Sequence, residues 1–190
     1  MNAALRRRRW LAFTGLAAIV VVADQLSKLW IDANFTAASV HPLPGVAEPT
    51  PIIGDLLRIA KSYNSGGIFG LAGDTATALA LASTVVIALI VIYQAREGMR
   101  SHWLLTVALG LLMGGALGNF ADRARLGRVI DFVDMGVGDL RWYTFNVADA
   151  AISTSIVLFI GIGLLGDRLT RRHSAPGTEV AGRAAAEAPR

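Results

Sequence analysis

The chain has 190 residues, is 54% hydrophobic and only 17% charged, and carries a formal charge of +4. A soluble domain of this length cannot hide so much apolar surface, so the composition excludes an ordinary soluble globule and indicates one membrane domain. Cysteine is absent, which excludes disulfides, thiolate nucleophiles and cysteine-based metal sites; the basic excess sits in loop arginines and speaks of topology rather than of nucleic acid.

Residues 1–9 form a basic N-terminal segment ending in "RRRR". The apolar run that follows, from Trp10, begins like a cleaved leader, a basic start and then a short apolar stretch. It does not stop at Ala23 but continues as "DQLSKLWI". An uncleaved first span over Trp10 to Ile31 is therefore expected, with polar groups near its far end. The segment 34–73 is too long for a plain connector and should carry structure of its own. Within it, "LLRIAKSYN" (56–64) alternates loosely and suggests a strand, and "NSGGIFGLAG" (64–73) is glycine-rich and suggests a turn or a close backbone approach.

Two uncharged runs of membrane length follow, Thr75 to Gln94 and Ser101 to Ala121. The stretch "GNFADRARLGRVIDFVDM" (118–135) then packs three aspartates and three arginines against the mouth of a span. The last apolar run, Ala150 to Gly166, reaches membrane length if its helix starts near Phe145. That start draws Asp149 into the first turns. The tail, 167–190, is polar and rich in Ala, Gly and Arg, the composition of a disordered segment.

The expected fold is thus a mainly α membrane protein with four transmembrane helices spanning residues 10–166. With the N-terminus inside, eleven Lys and Arg fall on the cytoplasmic side and six in the two outer loops, leaving Lys28 within a span. This bias predicts that both termini are cytoplasmic. Helix rise then sets the depth of each polar residue. Asp24 lies about 21 Å along the first span, and Lys28 is one turn further on the same face. Asn119 and Asp122 end the third span, Asn146 and Asp149 begin the fourth, and Asp131 lies in the short loop between them. Carboxylates and amides meet at one level near the outer interface.

An ionised Asp in hydrocarbon costs a few kcal/mol and calls for a partner or a role. Asp24 with Lys28 and Asp122 with Arg123 read as structural ion pairs. Asp149 has no basic neighbour in sequence. Two carboxylates a hydrogen bond apart share one proton, one serving as base and the other as acid, and peptide hydrolysis needs both roles. His41, His102 and His173 lack metal-ligand spacing, so no metal is expected, although Asp122, Asp131 and Asp149 compose a conceivable carboxylate site for Mg²⁺ or Ca²⁺. Ser27 and Lys28 are adjacent on a helix and face different ways, which disfavours a Ser–Lys dyad; Lys61 and Ser65 could form one only if their loop folded suitably.

Four blocks in order along the chain resemble those of the lipoprotein signal peptidases, also called signal peptidase II. They are "DQLSKLW" (24–30), "NSGGIFG" (64–70), "GGALGNFADRARLGRVIDFVD" (114–134) and "FNVADAAI" (145–152). The resemblance implies an intramembrane aspartic endopeptidase, with no cofactor, that cuts the signal peptide from a prolipoprotein just before a diacylglyceryl-bearing cysteine. It places the catalytic pair on Asp131 and Asp149. Asp24, Lys28, Asn64, Asn119, Asp122, Arg123 and Asn146 fall on its supporting or substrate-binding positions. It also implies a multi-pass protein of the prokaryotic plasma membrane, acting as a monomer near the extracytoplasmic face, with a small extracytoplasmic β element from the 34–73 loop. Ile68 departs from the small residues usual before the phenylalanine of the second block, and bears on the substrate pocket. A small ion- or proton-coupled transporter also uses intramembrane carboxylates, but here the polar groups gather at one end and line no path across. A structural or assembly subunit is the third reading, in which the charges only pair with a partner.

Overall fold

The computed structural model describes residues 3–39, 47–66, 75–96 and 102–171. Four helices follow the four apolar runs: α1 (Ala3–Asn34), α2 (Thr75–Arg96), α3 (Trp103–Leu126) and α4 (Val147–Arg171). Each is long and apolar enough to cross a membrane. Arg6 to Arg9, expected as a separate basic segment, are already helical and form an early turn of α1. At the other end of the chain α4 runs on to Arg171, past the expected start of the tail at 167. The rest of that tail, and Gly67 and Ile68 of the glycine-rich block, lie outside the described residues.

Helix α3 is the axis of the bundle and packs on α1, α2 and α4. Small residues let it approach its neighbours closely, as membrane helices require where no hydrophobic effect drives association. A Cβ added at Gly114 would lie 2.6 Å from Val20 Cβ and 2.9 Å from the Ala17 carbonyl of α1. One added at Gly115, on the opposite flank, would lie 2.5 Å from the Ala148 carbonyl of α4. Phe13, Ala17, Ile90, Leu105, Leu109 and Met113 fill the core between α1, α2 and α3. The outward faces remain apolar, with Leu11, Ile19, Val85, Leu89, Val157 and Leu164 exposed, as suits helices bathed in lipid.

One end of the bundle carries an antiparallel sheet of β1 (Thr50–Ile53), β2 (Leu57–Asn64), β3 (Val129–Val137) and β4 (Leu140–Arg141), in that spatial order. The expected strand over 56–64 is present as β2. The sheet is not confined to the first loop, however. Its other half comes from the α3–α4 connection, which the sequence presents as a charged loop. Gly127 ends α3 in the left-handed conformation (φ 68°), its N–H donating to the Arg123 carbonyl at 3.0 Å. β3 starts two residues later and pairs with β2 over Tyr63 with Ile130 and Ser62 with Asp131. Gly138 (φ 55°) then turns β3 back into β4.

Two devices dock this sheet. The first is Lys61, whose Nζ reaches the carbonyls of Asp32 (3.1 Å) and Phe35 (3.0 Å) and the Asp32 carboxylate (2.7 Å). A cation at these carbonyls satisfies the unpaired acceptors of the α1 C-terminus and complements its dipole. The second is the apolar cluster of Ile31, Ile130 and Phe132. Within the sheet, buried Asp134 accepts from Arg58 Nε at 2.6 Å and Arg141 Nε at 2.7 Å, locking β2, β3 and β4 together.

The close α3–α4 approach carries a test. Gly115→Ala overpacks the contact and should destabilise by about 1–3 kcal/mol, whereas Gly161→Ala, where the added methyl meets nothing within 4 Å, should leave melting unchanged. Thermal melting of the two variants in detergent distinguishes these outcomes.

Candidate active site

The site grows from the first turn of α4. Asn146 immediately precedes the helix, and Asp149 follows three residues later. The Asn146 side-chain oxygen accepts from the Asp149 N–H at 2.9 Å, and the Asp149 carboxylate accepts from the Asn146 N–H at 3.2 Å. This reciprocal pair is a capping box built from Asn and Asp. It fixes the Asp149 carboxylate at the positive end of the α4 dipole. The Asp24 carboxylate of α1 caps the same turn, accepting from the Ala148 N–H at 3.0 Å.

Asp131 arrives from the sheet. Its neighbours Ile130 and Phe132 pack with Ile31. Strand alternation therefore turns Asp131 to the opposite face. It is 1% exposed and accepts from Asn64 Nδ2 at 3.1 Å and Asn146 Nδ2 at 2.7 Å. Asp149 accepts in turn from Asn119 Nδ2 at 2.7 Å. The two carboxylates are not hydrogen-bonded to each other, contrary to the expectation of a directly shared proton. Asn146 bonds both instead, and the carboxylates face one cavity of about 590 Å³. Its walls are largely apolar and aromatic, with Met135, Trp142, Tyr143 and Phe145 on the sheet side and Ala150 and Ser153 on α4.

Burial pushes the Asp131 carboxyl up from 3.8 to about 6, and the negative charge of Asp149 adds to the rise. The hydrogen bonds from Asn64 and Asn146 and the charge of Lys28 oppose it. The cavity thus holds one carboxyl inclined to keep its proton beside one set in a helix cap.

A second layer lies beneath. Lys28, fully buried, donates to Asp24 Oδ2 at 2.9 Å and Asn119 Oδ1 at 3.2 Å, and pairs with Asp122 Oδ2 at 2.9 Å. Three donors meet three acceptors, which is the condition for burying an ammonium. Asp122 also accepts from the Ile130 N–H at 3.2 Å and from Gln25 Nε2 at 3.0 Å, tying β3 and α1 to α3. The expected Asp24–Lys28 ion pair is present, but the expected Asp122–Arg123 pair is not. Adjacent residues on a helix face different ways; Arg123 turns back to the Asn119 carbonyl at 3.4 Å, and Asp122 takes its main partner from α1. Of the nine residues singled out in sequence, eight join one network: Asp24, Lys28, Asn64, Asn119, Asp122, Asp131, Asn146 and Asp149. Arg123 touches it only through backbone. Sequence reasoning missed the cavity walls at Met135, Trp142, Tyr143 and Thr144; the aromatic pair just ahead of "TFNVAD" was the one available signal. It also missed the anchoring role of Gln25, although that residue lies inside the first block.

Fold and site together define an integral membrane enzyme. Two solved structures, each described as a bacterial membrane enzyme determined by the in meso method, share the fold. One superposes with a TM-score of 0.68 at 26% identity, covering 85% of this chain and 92% of the other; the second gives 0.69 at 28%, covering 80% and 91%. The family model described as Signal peptidase (SPase) II matches residues 16–165. The lipoprotein signal peptidase of Methylorubrum extorquens is 39% identical over 175 residues, covering 89% of this chain and 93% of the relative. That of Moorella thermoacetica is 36% identical over 146 residues, covering 77% and 88%. The chain belongs to the signal peptidase II family, and is therefore a peptidase and a multi-pass bacterial membrane protein.

The Asp131 environment predicts a pH signature. Its folded value lies above its unfolded one, so the stability it lends is full below about 3.8 and lost as pH climbs through about 6. At neutral pH the loss is about 3 kcal/mol. Asp131→Asn cannot ionise, so its melting temperature relative to the parent should be higher at pH 7.5 than at pH 4. An equal difference at both pH values would contradict a buried, reluctant carboxyl.

Proposed function

We propose that the chain is an intramembrane aspartic endopeptidase that removes the signal peptide from diacylglyceryl-modified prolipoproteins, cutting just before the lipid-bearing cysteine. The observation that carries this reading is the pair Asp131 and Asp149 on one cavity, the first with a raised carboxyl and both oriented by asparagines. Asp149 takes a proton from a water molecule as its oxygen attacks the scissile carbonyl carbon. Asp131 gives its proton to the carbonyl oxygen, and a tetrahedral intermediate forms. The intermediate collapses as the carbon–nitrogen bond breaks. Asp149 passes its proton to the departing amine of the cysteine, and Asp131 recovers one from the intermediate's hydroxyl. Asn119 and Asn146 hold the carboxylates in register, and Asn64 and Asn146 donate to Asp131. Such acid–base pairs contribute rate because their two members are held in different protonation states.

The charge bias of the loops supports cytoplasmic termini and a sheet end at the extracytoplasmic face. A substrate anchored by its acyl chains then presents its cleavage site at the level of the cavity. The transporter reading is disfavoured because, among the described residues, the buried ionic network gathers at one end of the bundle.

Two measurements test the proposal. Purified protein incubated with a diacylglyceryl-modified precursor and its unmodified twin should cleave the first alone. Asp131→Asn and Asp149→Asn should each lower the cleavage rate by about a hundred- to ten-thousand-fold while the protein still folds. Near-parental cleavage by either variant would refute the assigned chemistry.

A further inference from the structure

A second concave surface lies at the end of the bundle away from the active site. α2 and α4 both pack on α3, and between them runs a groove of about 610 Å³. Val86, Leu89 and Tyr93 of α2, Leu109 of α3 and Phe159 of α4 wall it, and Arg96 stands where α2 ends. Arg96 is exposed and makes no ion pair or hydrogen bond with any described residue. A charged side chain at the mouth of an apolar groove, within a chain that spans a membrane, asks for an occupant that is greasy along its length and anionic at one end.

Three further observations fix what that occupant is. First, the groove spans one leaflet: from Val86 to Arg96 the helix rises about 15 Å, half of a hydrocarbon core of about 30 Å. That length suits the acyl chain of one leaflet rather than a segment crossing both. Second, this end of the bundle is basic. Phe13 lies against Gly110 and Asp24 against Gly118, so α1 and α3 run parallel, and Arg6 to Arg9 share the level of the α3 start. The Arg9 guanidinium lies 5.7 Å from the centre of the Trp103 ring at that start. Third, Trp10, Tyr93 and Trp103 gather there, the residue types that mark a membrane–water interface.

We propose that the α2–α4 groove binds an anionic glycerophospholipid of the surrounding bilayer, with an acyl chain along Val86, Leu89 and Phe159 and the phosphate paired with Arg96. The site is separate from the cleavage cavity and does not depend on how that cavity works. It tethers the outer flank of α2, whose main packing among the described residues is on α3.

The test uses the purified full-length protein in neutral detergent, offered phosphatidylglycerol or phosphatidylcholine with the same acyl chains and read by native mass spectrometry. One phosphatidylglycerol should be retained about fivefold more than phosphatidylcholine, the preference expected of one interfacial arginine. Arg96→Gln should abolish the preference, Arg96→Lys should keep it, and Arg7→Gln, away from the groove, should leave it intact. Leu89→Trp, which fills the groove from an exposed position, should exclude both lipids without lowering the melting temperature. Equal retention of the two lipids by the parent, or a preference that survives Arg96→Gln, overturns the proposal. So does a photo-crosslinker at Leu89 that captures the signal segment of a bound precursor in place of phospholipid.

Discussion

A single buried ammonium organises the sheet end of this protein. Lys28 sits fully enclosed between Asp24, Asp122 and Asn119, and each of those acceptors reaches onward to a different element. Asp24 caps the first turn of α4, Asp122 receives the first strand residues of β3, and Asn119 holds the Asp149 carboxylate. An ion pair buried this deeply recovers its desolvation cost only with near-complete hydrogen bonding, and its net worth to stability is small. What it supplies is definition: two helices, a helix start and a strand are fixed relative to one cation.

The carboxylates of the cavity sit in different surroundings. Asp149 belongs to a helix N-terminus, where it accepts from the Asn146 N–H and from Asn119. Asp131 belongs to a strand, enclosed with Asn64 and Asn146 at the cavity wall, where burial resists its charge. Chemically identical side chains acquire different surroundings from the secondary structure that carries them. The asparagines are well suited to hold such a pair, because an amide donates to a carboxylate without adding a charge that would level the difference.

The sheet serves this arrangement as a support. Its inner strands come from two loops separated by α2 and α3, so neither loop is ordered by local sequence alone. Asp134, held by Arg58 and Arg141, fastens the far ends of those strands, and Lys61 seats them on the α1 terminus. The charges that looked excessive at the mouth of a span are thereby divided. Some support the sheet, some bury themselves beneath it, and Asp131 faces the cavity, where Asp149 of α4 meets it.

The sequence by itself determined the four spans, because hydrocarbon thickness imposes a length that composition reveals directly. It also determined the level at which the polar residues meet, because helix rise converts position into depth. The ordered blocks around Asp24, Asn64, Asp131 and Asp149 made most of the site residues legible. Other features depended on the tertiary structure. That Asp122 pairs with Lys28 rather than Arg123, that residues 129–141 form strands rather than a loop, and that Trp142 and Tyr143 wall the cavity are all contacts between segments distant in sequence. Depth along a helix is a one-dimensional quantity that a sequence carries; the side chain that faces another across a bundle is set by helix rotation and strand register, which only the packed chain fixes.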